Sequence, residues 1–312
     1  FSIYLMGCVN SRVDVETDGH QYRMKRKIAS GGFSQIFLAE DVESGEKVAI
    51  KKIVCHGLSE AERVRREIGF LLRFAKRSEH ILSLLAVAEE QSVASSFFNF
   101  ALLFPYCKIG SLNDELVLRS QTNDYMDQQR VLFLFRQICC AIEVLHSDRP
   151  PIAHRDLKPA NLMFSDPQTL QLIDFGSATE CPLRILDARD SRRILDEAAE
   201  LCTMPYRAPE LFTCEIGAMI GESVDIWSLG CVLFALCYFR SPFDGVHERG
   251  DSVALAVQSA KINFDTAVPV DRHIAELIQS MVLIRPSERP HISQIKKRVD
   301  QMQTLDEVKD NE

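Results

Sequence analysis

Apolar and polar positions alternate in short runs over the first hundred residues, and a longer period takes over beyond them. Val48 and Ile50 share one face of such a run and Ala49 and Lys51 the other, the period of a half-buried strand. The same period points Lys52 away from Lys51. From Ser59 to Ala75 the pattern becomes helical: Val64, Ile68, Leu71 and Ala75 form one apolar stripe, and Ser59 with Glu62 has capping-box spacing. Glu67 borders that stripe. A carboxylate at a buried margin needs a cation, because burying an ionised group unpaired is costly. Lys51 is the candidate cation, with Glu62 the alternative to Glu67 as its partner.

From about Tyr22 to Phe104 the pattern predicts strands and one helix. Past Pro105-Tyr106-Cys107 it predicts mostly helices, as in Gln128 to His146, so the fold class is α+β. Ile226 to Phe239 is the most apolar stretch, but its 14 positions include Ser228 and Gly230. A bilayer span needs roughly 18 to 20 apolar residues, so this stretch is expected to be a buried core helix. Ile194, Leu195, Ala198, Ala199 and Leu201 recur with helical character between acids and arginines. Thr304 to Glu312 is a short polar end, and there is no internal repeat.

Composition narrows the classes. The chain has 312 residues, enough for a large core, with 46% hydrophobic and 26% charged residues. A net charge of −8 excludes the excess of Lys and Arg that a general nucleic-acid footprint demands, so no nucleic-acid partner is expected. Ten cysteines show no C-x-x-C pair or metal spacing, and buried reduced thiols are the expectation.

The chemistry lies in His154-Arg155-Asp156-Leu157-Lys158-Pro159-Ala160-Asn161, followed by Asp174-Phe175-Gly176. Transfer of a phosphoryl group from ATP to a hydroxyl needs an acceptor to orient the hydroxyl, a cation for the γ-phosphate and oxygen ligands for Mg²⁺. A three-letter match alone is weak; the two motifs in order, with Asn161 between them, are specific.

On these motifs the chain resembles the eukaryotic protein kinases, from roughly Tyr22 to Lys297. The resemblance implies a bilobal fold within residues 20–297, with a small β-rich N-lobe (about 20–104) and a larger helical C-lobe (about 105–297). Residues 1–19 would form an N-terminal segment and residues 298–312 a tail. ATP and Mg²⁺ are the implied cofactors, with ATP in the cleft between lobes. The resemblance makes Asp156 the catalytic acceptor and Lys158 the γ-phosphate cation, with Asn161 and Asp174 as metal ligands. Val48-Ala49-Ile50-Lys51 looks like the strand carrying the ATP-contacting lysine, held by Glu67. Phe104 would stand at the back of the adenine pocket, and Ile36 and Ala49 would cover the ring.

Lys158 agrees with serine/threonine rather than tyrosine kinases, as does Thr203 in the substrate loop, while the motif leaves dual specificity open. The implied partners are protein substrates with Ser or Thr acceptors. Thr203-Met204-Pro205-Tyr206-Arg207-Ala208-Pro209-Glu210 resembles the loop that closes on the APE motif. Arg289 would pair with Glu210, and Asp225 would support the catalytic loop. A nucleotide-binding pseudokinase scaffold is the alternative reading. Such proteins commonly lack the strand lysine or one of the two aspartates, and this chain has all three.

The phosphate loop departs from the general pattern. It reads Ile28-Ala29-Ser30-Gly31-Gly32-Phe33-Ser34-Gln35-Ile36, with only the middle glycine retained. Glycines there let the backbone approach phosphates and adopt positive φ. The Gly31-Gly32-Phe33-Ser34 core resembles the Numb-associated kinases. So does the 37-residue segment from Asp174 to Glu210 with its helical second half. Gly250 to Gln258 looks like the matching stretch of an acylated member of that family.

Met6-Gly7-Cys8-Val9-Asn10-Ser11 fits an N-myristoylation motif, with Cys8 beside the acceptor glycine. It acts only when Gly7 is the exposed N-terminus. Phe1 to Leu5 precede it here and are too short for a secretory signal. One myristoyl chain binds membranes marginally, so stable anchoring calls for palmitoylation of Cys8 as well. The expectation is a cytoplasmic protein held peripherally on cytoplasmic membrane faces, at the Golgi by the resemblance.

Overall fold

Cross-strand pairing of the alternating runs builds one antiparallel sheet in the N-terminal third. In the computed structural model, which describes residues 14–31, 34–91, 97–268 and 270–309, the chain divides into two compact units, Phe1–Lys108 and Ile109–Glu312. The first unit holds β1 (Val15–Thr17), β2 (His20–Ser30), β3 (Ser34–Asp41), β4 (Lys47–Cys55), α1 (Leu58–Phe74), β5 (Ala86–Gln91) and β6 (Phe98–Pro105). Its six strands run in the order β1-β2-β3-β4-β6-β5. Val48, Ile50, Ala101 and Leu103 join Val15, Tyr22, Ala39 and Ala88 in one core cluster. The register sets Lys51 on the other face of β4, opposite Ile36 and Leu102, while Ala49 lies opposite Leu38 and Phe104.

α1 differs from expectation at its start. It begins at Leu58 with Gly57 as an extended N-cap and no side-chain cap, so Ser59 lies inside the first turn and forms no capping box. Glu60 reaches back instead and accepts the His56 N–H at 2.8 Å. The buried stripe is Ala61, Val64, Glu67, Phe70, Leu71 and Phe74, so Glu67 sits within it rather than at its border.

The second unit opens with α2 (Leu112–Thr122) and α3 (Gln128–His146), then the short strands β7 (Ile152–Ala153), β8 (Leu162–Asp166), β9 (Thr169–Leu172), β10 (Thr179–Glu180) and β11 (Leu183–Arg184). α4 (Ala188–Leu201), β12 (Met219–Ile220), α5 (Ser223–Tyr238), α6 (Asp244–Glu248), α7 (Val253–Ser259), α8 (Arg272–Met281) and α9 (Ile292–Lys309) complete it. α5 is buried from Val224 to Cys237, as its composition predicts. Gly230 is required there by close approach: a Cβ would lie 2.6 Å from Cγ2 of Val282.

Two expected boundaries shift. β1 pairs with β2 and buries Val15, five residues before the domain start read from sequence. α9 runs through position 297 and buries Val299 and Met302, so its helical face continues the core into what reads as a tail. No helix among the described residues is long and apolar enough to cross a membrane. The described cysteines are free thiols. Burial pushes several of them up, Cys181 and Cys237 to about 12, which leaves them protonated and unreactive. Gly7 and Cys8 lie outside the described residues.

Candidate active site

Leu157 is fully buried, and it anchors a short extended stretch in which Asp156 and Lys158 fall on the opposite side. Lys158 has φ −158° and ψ 162°, after which Pro159 opens a single 3₁₀ turn to Asn161. Proline suits that first position, where its missing N–H costs nothing. The turn carries Asn161 back, so that its Nδ2 donates to the Asp156 carbonyl at 2.8 Å and to Oδ2 at 3.0 Å. Lys158 Nζ donates to the same Oδ2 at 2.8 Å. From the other side, the Thr203 N–H donates to Asp156 Oδ1 at 2.8 Å, and Lys158 Nζ reaches Thr203 Oγ1 at 2.6 Å. Three donors therefore orient one nearly buried carboxylate, and both oxygens are engaged.

The loop backbone rests on Asp225, which is fully buried near the start of α5. Its Oδ2 accepts the His154 N–H and its Oδ1 the Arg155 N–H, each at 2.8 Å. His146 Nε2 lies 2.9 Å from Oδ2. Burial alone would raise the Asp225 pKa. The His146 hydrogen bond, the charges of His146 and His154 and the Arg155 N–H outweigh it and hold the carboxyl below its usual value. Arg155 itself has φ +69°, a left-handed conformation that costs a non-glycine residue about 1–2 kcal/mol and persists because both flanking contacts enforce it.

β8 and β9 form a hairpin with Leu162 opposite Leu172, and the Ile173 N–H donates to the Asn161 carbonyl at 2.9 Å. Asn161 and Asp174 thus stand at the two ends of the open side of one hairpin. Since Asn161 Nδ2 is committed to Asp156, its amide oxygen is the end left for a cation. Asp174 is exposed, in a left-handed conformation with φ +62°, and its Oδ1 accepts the Gly176 N–H at 3.4 Å. Phe175 is buried edge-on against His154, with ring centroids 5.2 Å apart. One amide oxygen and one carboxylate suit Mg²⁺, a hard cation that keeps waters and phosphate oxygens in its remaining positions.

In the first unit, Lys51 Nζ donates to Glu67 Oε1 at 2.7 Å. Their side chains are 15% and 5% exposed, while Glu62 is exposed on the opposite side of α1. β2 and β3 form the hairpin expected to serve as the phosphate loop, with Ser30 opposite Gln35 and Ala29 opposite Ile36. The Gly31 N–H closes it on the Ser34 carbonyl at 2.8 Å. Gly31 does not adopt positive φ, and an added Cβ would sit 3.3 Å from Ser34 Oγ. Ile28 lies at a register shift of this hairpin. Gly32 and Phe33 lie outside the described residues. Ile36, Ala49 and Phe104 share the Lys51 face.

The end of the 203–210 stretch is pinned by Arg289, whose Nη1 and Nη2 each donate to a different oxygen of Glu210 at 2.7 Å. Four contacts escaped the sequence reading. His146 supports Asp225, Arg207 donates to the Cys202 carbonyl at 2.6 Å and stacks on Phe212, and Arg155 pairs with Glu197 at 3.4 Å. The His146–Asp225 and Arg155–Glu197 contacts span 79 and 42 residues, and no local spacing marks them.

A family model described as protein kinase domain matches residues 22–299. Over 300 residues the chain is 35% identical to serine/threonine-protein kinase 16 of Rattus norvegicus, covering 95% of each chain. The Homo sapiens protein of the same name is 34% identical over 296 residues, with the same coverage. Serine/threonine-protein kinase ppk13 of Schizosaccharomyces pombe is 28% identical over 315 residues, covering 91% of each.

Proposed function

Since the chain belongs to the protein kinase family, in its serine/threonine branch, we propose that it transfers the γ-phosphoryl group of ATP to serine or threonine hydroxyls of proteins. The observation that carries this reading is the convergence of Lys158, Asn161 and Thr203 on the Asp156 carboxylate. Asp156 accepts the hydrogen bond of the attacking hydroxyl and takes up its proton as the new O–P bond forms and the bond from the γ-phosphorus to the β–γ bridging oxygen breaks, releasing ADP. Lys158, tied to both Asp156 and Thr203, brings positive charge to the transferring group. Asn161 and Asp174 would hold Mg²⁺, which when bound would neutralise charge on the phosphate oxygens. Lys51, held by Glu67, contacts the α- and β-phosphates, and the β2–β3 hairpin covers them. Ile36, Ala49 and Phe104 line the adenine site.

The test is transfer of ³²P from labelled ATP to a generic protein substrate by purified chain, with acceptor residues identified by mass spectrometry. Phosphoserine and phosphothreonine are the expected products, with phosphotyrosine only if specificity is dual. Binding of Mg·ATP without transfer by wild type would replace this reading with the nucleotide-binding scaffold.

We also propose that the chain is acylated at Gly7 and Cys8 and held on cytoplasmic membrane faces of the Golgi. The support is the Met6-to-Ser11 motif. Each buried CH₂ contributes ~0.8 kcal/mol, so one chain gives reversible attachment and two give stable retention. Translation from Met6 should yield a doubly acylated product in its own cells. Gly7→Ala should render it cytosolic and Cys8→Ser weakly attached; a Gly7→Ala protein still on membranes would remove the anchor.

A further inference from the structure

Charge divides unevenly along this chain. Residues 1–108 carry 15 Lys and Arg against 13 Asp and Glu, whereas residues 109–312 carry 21 against 31. Such an asymmetry marks the more basic part as the one that meets an anionic partner. In the first unit the bases gather on β2, where Arg23, Lys25, Arg26 and Lys27 fall within five residues and the strand holds no acid. Strict alternation would turn half of them inward. The register shift between Met24 and Arg26 breaks the alternation, and Lys25, Arg26 and Lys27 come out exposed in succession.

The neighbouring strands leave this stripe positive. Arg23 stands opposite Glu40 of β3, and Glu40 opposite Lys47 of β4, so these three side chains share one face. Lys25 Nζ lies 3.0 Å from Glu40 Oε2, and both side chains are more than a third exposed. The Lys25 hydrogen bond and charge, and then the charges of Arg23 and Lys47, outweigh burial and hold the Glu40 carboxyl below its usual value. One carboxylate is thus shared among three cations. Arg26 and Lys27 extend the stripe opposite Leu38 and Phe37, which bring no acid. Asp18, Asp41 and Glu46 gather around Tyr22, at one end of the stripe.

The acylation motif is tethered closely to this stripe. Gly7 precedes Val15 by eight residues, and a fully extended backbone of that length spans at most about 29 Å. Val15 pairs with Tyr22, directly before Arg23. We propose that Arg23, Lys25, Arg26 and Lys27 of β2, with Lys47 beside them, form a surface that docks on the anionic phospholipid headgroups of the membrane that accepts the acyl chains. The proposal rests on the acylation reading for how the chain reaches that membrane, and adds an electrostatic contact to it. An acyl anchor and a basic surface reinforce each other, because the tether raises the local concentration of headgroups. The second unit, with its excess of acids, would be repelled by the same leaflet.

The experiment sediments the unacylated full chain with vesicles of phosphatidylcholine, alone or mixed with phosphatidylserine, at low and high salt, with thermal melts to check that each variant is folded. Binding is expected to the phosphatidylserine vesicles and should be lost at high salt. One Lys or Arg near an anionic leaflet is worth roughly a fivefold change in partition, so Arg26→Gln/Lys27→Gln should weaken binding about tenfold or more. Glu40→Gln removes the carboxylate among the bases and should strengthen binding by up to about fivefold. Two controls on the exposed face of α1, Arg66→Gln/Lys76→Gln and Glu62→Gln, make the same changes of net charge and should each move binding less than about twofold. Equal effects from the β2 and α1 variants would mean diffuse attraction and overturn the docked surface. So would equal binding to neutral vesicles, or binding to a single-stranded oligonucleotide in preference to phosphatidylserine. Intact-mass analysis of the chain from its own cells tests acylation separately. An unmodified Gly7 together with stripe-dependent vesicle binding would remove the acyl anchor alone. A doubly acylated protein whose vesicle binding ignores Arg26→Gln/Lys27→Gln would overturn this proposal alone.

Discussion

Replacing Asp156 by asparagine tests the chemistry, and its cost follows from the donors that surround the carboxylate. Oδ2 accepts from Lys158 and Asn161, and Oδ1 from the Thr203 N–H. An amide keeps one acceptor oxygen and turns the other into a donor. The best orientation leaves the oxygen with Lys158 and Asn161 and sets an NH₂ against the Thr203 N–H at 2.8 Å, donor against donor. Losing a hydrogen bond to a charged group costs roughly 1.5–3 kcal/mol. At about 2–4 °C per kcal/mol for a unit of this size, melting should fall by roughly 3–12 °C while the protein stays folded at 25 °C. Turnover should drop far more, by ~10²–10⁴, because the hydroxyl loses its proton acceptor. The assay pairs kcat at saturating Mg·ATP with thermal melts in its presence and absence. The melting rise produced by Mg·ATP should persist, since Lys51, Asn161 and Asp174 are untouched. A purified, folded variant with kcat within about tenfold of wild type would refute the role of Asp156.

Two further outcomes follow from buried charge. Glu67→Gln leaves the largely buried Lys51 ammonium against a neutral amide and should lower kcat/KM roughly tenfold or more, whereas the exposed Glu62→Gln should leave it nearly unchanged; equal losses would mean the pair does not position Lys51. Because Asp225 is held below its usual pKa, its stabilisation is complete above the unfolded value near ~3.9 and is lost as pH falls through the lower native value. Urea melts from pH 7 down to about 3 should show that acid-side loss in wild type, and its persistence undiminished in Asp225→Asn would assign it to other carboxylates.

Local chemistry determined much of this protein from sequence alone. Period two in Val48–Lys51 sets which face of β4 carries the lysine, because side chains alternate whatever the strand packs against. The helical period of α1 selects Glu67 over Glu62 for the same reason. Asp156, Lys158 and Asn161 are legible because extended backbone followed by a proline-opened turn brings residues within five positions together. Helix ends and domain edges were not legible. Gly57 caps α1 only because Glu60 satisfies the preceding N–H, and Val15 and Met302 belong to the core through partners far along the chain. The tertiary structure alone decided which buried charges meet. His146 is 79 residues from Asp225, and Glu197 is 42 from Arg155. A charged residue inside a fold needs an opposite charge in space, and sequence spacing carries no record of which distant helix supplies it.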